Sequence, residues 1–319
     1  MGVTDGGADG PGHGGLRNMP PTIAICGPDC EAKCVIRAPA SDGTLASRAG
    51  SGNNRAMDVL TFDDVALHVQ VEGPEDGPAV VFANSLGTDL RLWDRVLPLL
   101  PSGLRIIRYD KRGHGLSTCP AAPYSMGNLV RDAERVMDTL DVRDAVFVGL
   151  SIGGLIAQGL AAKRLDLVRA IVLSNTAAKI GTRQMWEDRI ALLRREGLAS
   201  MADAILERWF SPAFRNSPAV APWRRMVETC PEDGYAGCSA AIAGSDFYST
   251  TATLRLPTLV IAGDRDGATP PDLVRELANL IPGARFELMR GVGHLPCVED
   301  PKTYAAHLTT FLTDIGHLP

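Results

Sequence analysis

From Met57 onward, short runs of apolar and β-branched residues alternate with stretches of helical period, and this alternation most constrains the fold. The runs are "DVLTF", "VALHVQVEG", "AVVFAN", "LRIIRYD", "AVFVGL", "RAIVLSN", "PTLVIAG" and "RFELMR". Several are continuously apolar instead of alternating, which marks strands covered on both faces, as in a parallel sheet. The first two read as a hairpin. Between the runs, Ser125 is placed to cap a helix that keeps Leu129, Ala133, Val136, Met137 and Leu140 on one face, and "PPDLVRELANLIPG" and "DPKTYAAHLTTFLTDI" read similarly. The repeated order strand, helix, strand predicts a doubly wound α/β fold: a mostly parallel eight-stranded sheet with helices on both faces.

The alternation breaks once. Between "RAIVLSN" and "PTLVIAG" lie about eighty residues with no strand pattern. They predict short helices over 182–196, 198–210, 220–230 and 235–243, punctuated by Gly197, "SPAFRNSP" and "PEDG". The domain reading is therefore a core in two parts, 57–178 and 251–319, with a helical cap, 179–250, inserted after the sixth strand. An insertion there sits over the crevice in which open α/β sheets bind ligands. Trp186, Trp209 and Trp223 fall in it, and packing within the cap is the plainer reading of each; Trp186 is also a candidate substrate contact.

Residues 1–56 are rich in Gly, Ala, Ser and Pro and have no hydrophobic period, so they are expected to be a disordered extension. Met57, directly before the first strand, is a candidate natural start. Cys26, Cys30 and Cys34 stand at four-residue steps, but the spacing is not that of a zinc finger, and no metal is assigned to them. The seven cysteines are odd in number and scattered, which suits free thiols in a reducing, cytoplasmic setting. A net charge of −5 argues against nucleic acid or an anionic membrane as the partner. No run reaches the ~18 apolar residues of a membrane span.

The chemistry centres on "VFVGLSIGGLIAQGL". A strand precedes Ser151 and a helix follows it, with Gly149 and Gly153 two places to either side, so the serine occupies a strained strand-to-helix turn that exposes its hydroxyl. The N–H of Ile152, at the helix start, points where an oxyanion would form. A serine needs a base, and the base an orienting carboxylate. "GVGHLPCVEDP" supplies His294 and "AGDRDGATPP" supplies Asp264 and Asp266, each after a strand. The order Ser, Asp, His at successive strand ends is that of the α/β hydrolases. The resemblance to that superfamily, in which Gly-x-x-Asp commonly carries the acid, selects Asp266. Asp264, like Asp110 in "RYDKRGHGLS", then holds loop backbone. It also implies a second oxyanion donor after the third strand, the N–H of Leu86, with Asn84 and Ser85 in place of the usual His-Gly. Whether Asn84 and Ser85 shape the loop or touch substrate is left open.

Over residues 57–316 the chain resembles the 3-oxoadipate enol-lactonases of bacterial aromatic-compound catabolism. The narrower motifs are "SNTAAKIGT" and "CPEDGYAGCSAAI". The resemblance implies a small anionic lactone as substrate, no metal or organic cofactor, and a cation near the pocket, for which Lys179, Arg183, Arg189 and Arg91 are candidates. It leaves a homo-oligomer open. The competing readings are a carboxylesterase, a C–C bond hydrolase or a perhydrolase on the same scaffold, and a non-catalytic binding protein, against which the complete triad weighs. A dehalogenase would need Asp at position 151.

Overall fold

A computed structural model describes residues 56–318. The expected disorder of residues 1–56 and the Cys26, Cys30, Cys34 group lie outside the described residues, except Ala56, which opens the first strand. Eight strands follow: β1 (Ala56–Phe62), β2 (Val65–Glu72), β3 (Ala79–Ala83), β4 (Arg105–Tyr109), β5 (Ala145–Leu150), β6 (Val168–Ser174), β7 (Thr258–Gly263) and β8 (Arg285–Met289). They form one sheet in the order β1-β2-β4-β3-β5-β6-β7-β8. β1 and β2 pair antiparallel, as does β2 with β4, and the rest are parallel. Every residue of β3, β5 and β7 is buried, which is why their sequences do not alternate. Each fully buried Val, Leu or Ile contributes roughly 1.5–3 kcal/mol relative to exposure.

The helices are α1 (Met126–Thr139), α2 (Ile152–Lys163), α3 (Arg183–Glu196), α4 (Ala202–Trp209), α5 (Pro212–Arg215), α6 (Ala221–Glu228), α7 (Glu232–Ala243), α8 (Tyr248–Thr253), α9 (Pro271–Leu280), α10 (Pro296–Glu299) and α11 (Pro301–Asp314). Ser125 caps α1 in a reciprocal box with Asn128, and Leu129, Ala133, Val136 and Met137 are buried as the sequence predicts. Six helices, α3 to α8, lie between β6 and β7. Two of them, α5 and α8, have no counterpart in the sequence reading. α5 is a single turn started by Ser211 and Pro212, too short to show a period. α8, "YSTTAT", has no apolar stripe to betray it. α7 begins a turn earlier than expected, directly after Pro231, which fits the residue before a first helical turn.

Three features place the site. β3 lies between β4 and β5, so the chain leaves it toward opposite edges and the crevice opens between the loops after β3 and β5. The registers Ala83↔Gly149, Leu150↔Ser174 and Gly263↔Met289 bring the ends of five successive strands nearly level. The inserted helices are tied to this rim by backbone. His294 N–H donates to Trp209 O at 2.7 Å, and Gly267 N–H to Arg208 O at 3.1 Å. Gly234 of α7 lies flat on Gly113, where an added Cβ would come within 1.8 Å of the Gly113 carbonyl oxygen.

Candidate active site

Ser151 has φ +58° and ψ −118°, a left-handed turn in which a residue with a side chain is strained. The turn is held from both sides. A Cβ on Gly149 would lie 2.1 Å from Gly153 O, and one on Gly153 would lie 2.2 Å from Ala83 O. The two glycines are therefore needed for close approach of backbone, on which the serine is raised. Thr176 Oγ1 donates to Ser151 O at 2.7 Å, and Ser151 N–H to Ser174 O at 2.9 Å.

His294 Nδ1 lies 2.8 Å from Asp266 Oδ2, both side chains buried. The Asp266 carboxylate accepts four further bonds: Asn175 Nδ2 at 2.8 Å and Thr269 Oγ1 at 2.8 Å on Oδ2, and the N–H groups of Ala268 at 2.7 Å and Thr269 at 2.9 Å on Oδ1. Burial opposes ionisation, but the attraction of His294 and these bonds outweigh it and hold the carboxyl below its ordinary range. An ionised carboxylate can only accept, so the imidazole proton sits on Nδ1 and the lone pair on Nε2. Asp264 is elsewhere, its Oδ1 accepting from Gly291 N–H at 2.6 Å.

The loop after β3 is fixed from below by the loop after β4. Lys111 Nζ, fully buried, donates to Ser85 O at 2.6 Å and Thr88 O at 3.0 Å. Gly87 N–H donates to His114 Nε2 at 3.0 Å, and Leu90 N–H to Asp110 Oδ1 at 2.7 Å. Burial, and then the charge of Lys111, push the His114 pKa well below its usual value, which keeps the imidazole neutral and able to accept. Within the described residues the N–H groups of Leu86 and Ile152 donate to nothing, and β3 and β5 are neighbours.

One narrow cavity is lined by Ser85, Leu86, Ser151 and His294 below and by Trp186, Arg189, Arg208, Trp209 and Tyr235 of the inserted helices above. Of the residues the sequence places with substrate, Ser85, Trp186 and Arg189 line it. Asn84 does not. Its Nδ2 donates to Tyr109 O at 2.9 Å and its Oδ1 accepts from Trp93 Nε1 at 2.7 Å, so both ends of the amide hold the loop. Lys179 does not either, being exposed and paired with Asp246 at 3.0 Å. Arg183 pairs with Glu187 at the surface, and the exposed Arg91 pairs with the buried Asp89. Missed by sequence reasoning are Asn175, Thr269, Lys111, Tyr235 and Arg208. Asn175 and Tyr235 fall within "SNTAAKIGT" and "CPEDGYAGCSAAI", Lys111 within "RYDKRGHGLS" and Thr269 within "AGDRDGATPP", and those motifs were the signal that could have found them.

Residues 78–301 match the family model of the alpha/beta hydrolase fold, and the chain belongs to that family. That membership, together with relatives that are enol-lactonases, makes it a hydrolase. The chain is 36% identical over 249 residues to 3-oxoadipate enol-lactonase 2 of Acinetobacter baylyi, covering 77% of this chain and 93% of the relative. Among solved structures it resembles the enol-lactonase of Burkholderia xenovorans, with TM-score 0.77, 36% identity, and 80% and 99% of the two chains covered. It also resembles a thermophilic esterase of Thermogutta terrifontis, with TM-score 0.75 and 26% identity over 82% and 99%. No helix among the described residues is long and apolar enough to cross a membrane.

Proposed function

We propose that the protein opens 3-oxoadipate enol-lactone to 3-oxoadipate in bacterial aromatic-compound catabolism, with Ser151, His294 and Asp266 as the catalytic triad. The observation that carries this is one cavity holding Ser151, an Asp266-oriented His294 and the Leu86 loop in a chain 36% identical to an enol-lactonase. His294 Nε2 takes the proton of Ser151 Oγ as the oxygen attacks the lactone carbonyl. The N–H groups of Leu86 and Ile152 receive the oxyanion. Collapse breaks the ring C–O bond and releases an enolate, a better leaving group than an alkoxide because its charge delocalises. The imidazolium returns the proton, the enol becomes a ketone, and water, deprotonated by the same nitrogen, hydrolyses the acyl-enzyme. Ser85 Oγ is buried without a protein partner and lines the cavity, so it is placed to donate to a substrate oxygen.

The test is loss of enol-lactone ultraviolet absorbance on adding enzyme. The wild type should consume the lactone and Ser151→Ala should not. Undiminished turnover in that variant would remove Ser151 from the mechanism, and an inert wild type would remove the substrate.

A further inference from the structure

We infer that the protein carries a second small-molecule site, separate from the reaction cavity, which takes a neutral, hydroxyl-bearing molecule with a compact apolar body, of the size of a phenol. A cavity of about 400 Å3 opens where the loop after β3 runs on past Leu86, within the ~300–1,000 Å3 of small-molecule sites. It shares no lining residue with the cavity that holds Ser151. Its walls come from β2, from the segment between Gly87 and Arg91, from the loop after β4 and from the end of α6.

The recognising group is His68. Its side chain is buried and lines this cavity, and its Nε2 has no hydrogen-bond partner among the described residues. A buried polar atom left open in a folded chain is rare, and here it marks a place for an outside partner. His68 Nδ1 lies 2.7 Å from Asp110 Oδ2. The same carboxylate accepts from Leu90 N–H at 2.7 Å and from Leu116 N–H at 3.0 Å, and it donates nothing. The imidazole proton therefore sits on Nδ1, and Nε2 presents a lone pair to the cavity. Two residues on, along the same face of β2, Gln70 accepts from Arg108 Nη2 at 2.7 Å through its amide oxygen. That leaves the Gln70 NH2 group without an acceptor among the described residues. The two side chains offer one acceptor and one donor, and a hydroxyl answers both.

The other polar side chains of the cavity are already answered. Asp89 Oδ1 accepts from Arg91 Nε at 2.9 Å, and His114 Nε2 from Gly87 N–H at 3.0 Å. Thr88 Oγ1 donates to Ser85 O at 2.9 Å, and Thr229 Oγ1 to Arg225 O at 2.8 Å. The charges of Asp89 and Arg91 meet each other at the rim and call for no further ion. The remaining wall is apolar: Leu90 and Met226 are buried, while Leu116 is 68% exposed with its side chain at the cavity. A hydroxyl for His68 and an apolar body for these three side chains define the ligand.

The test titrates phenol, toluene and benzoate into the full chain by calorimetry, with methyl NMR of methionine-labelled protein to locate what binds. Phenol should bind about 10-fold or more tightly than toluene, which lacks the hydroxyl, and more tightly than benzoate. It should also move the Met226 methyl signal, assigned with Met226→Leu. In His68→Phe the advantage of phenol over toluene should vanish, and Met226→Trp, which fills the cavity, should abolish binding of both. Absence of phenol binding, or equal affinity for phenol and toluene in the wild type, would overturn the site. A preference for benzoate would place a proton on Nε2 and overturn the ligand class. Shifts confined to Met185 or Met201 would put the ligand in the groove between α3 and α4 instead. Should His68→Phe fail to fold, retained affinity in Met226→Trp would still refute the assignment. No outcome bears on Ser151, so the site stands or falls apart from the hydrolase reading.

Discussion

The floor and the roof of the cavity handle polar groups in opposite ways. On the floor, the Asp266 carboxylate accepts five bonds, Lys111 spans two carbonyls, and His114 accepts an N–H. The N–H groups of Leu86 and Ile152 and the Ser85 hydroxyl stay open, all beside Ser151. On the roof, two arginines keep open donors and no acid partner. The floor's parts satisfy one another, and under the proposed mechanism its free donors face a charge that exists only during reaction. The roof's open donors line the same cavity from above. The division is thus between polar groups satisfied within the chain and polar groups left open.

Several changes would break or sharpen that division. Asp266→Asn should be the most damaging of them, cutting kcat by about 10^4-fold, because an amide can favour the wrong imidazole tautomer. Undiminished turnover in that variant would remove Asp266 from the working parts of the floor. Gly153→Ala forces a Cβ against Ala83 O, just before the Leu86 loop. It should lower stability by roughly 1–3 kcal/mol in a thermal melt and reduce kcat.

Asn175→Ala should reduce kcat by about 10-fold and act on pH dependence as well. The Asp266 carboxyl is held below its ordinary value of 3.8, so its contribution to stability is present above that value and is lost as pH falls through the folded-state pKa. Removing the Asn175 donor raises that pKa, and acid unfolding should begin at higher pH. A denaturation midpoint unchanged between pH 5 and 2.5 would refute this.

The smallest effect is expected far from the site. Asp64 is bound by Arg135 and Arg112, and the Arg135 bond, opposed by partial burial, lowers its pKa from 3.8 to about 2. Its contribution, present above pH 3.8 and lost toward pH 2, should be no more than about 1 kcal/mol because the pair is partly exposed. Asp64→Asn should therefore lower the melting temperature slightly at neutral pH and leave turnover unchanged.

The floor was largely legible in the sequence because its parts sit at strand ends, and strands of continuous Val, Ile and Leu announce themselves. Ser151 stands directly after such a run and His294 in the loop that follows the last strand, and the chain order orients the search. Asn175 stands after one too, but its meaning depends on β6 lying between β5 and β7, a matter of sheet order that no local pattern holds. The roof was far less legible. A basic residue on or beside a short helix reads as a solvated charge; Lys179 and Arg183 have surface partners, and the exposed Arg91 pairs with the buried Asp89. Arg208 differs from them only because Gly267, from a distant loop, folds against it. Burial of that kind is created by packing between elements and has no period to read.

The backbone bonds from Trp209 O to His294 N–H and from Arg208 O to Gly267 N–H have a consequence for how such an enzyme diversifies. The helices above the sheet cannot be exchanged as a module, since their carbonyls help set the base and the acid loop. Swinging them aside as one body would also untie the loops that do the chemistry. Traffic through the mouth is then left to side chains, and new substrates to single replacements on α3 and α4. A graft of another roof onto this sheet would have to bring a carbonyl to His294 before it could bring any new specificity.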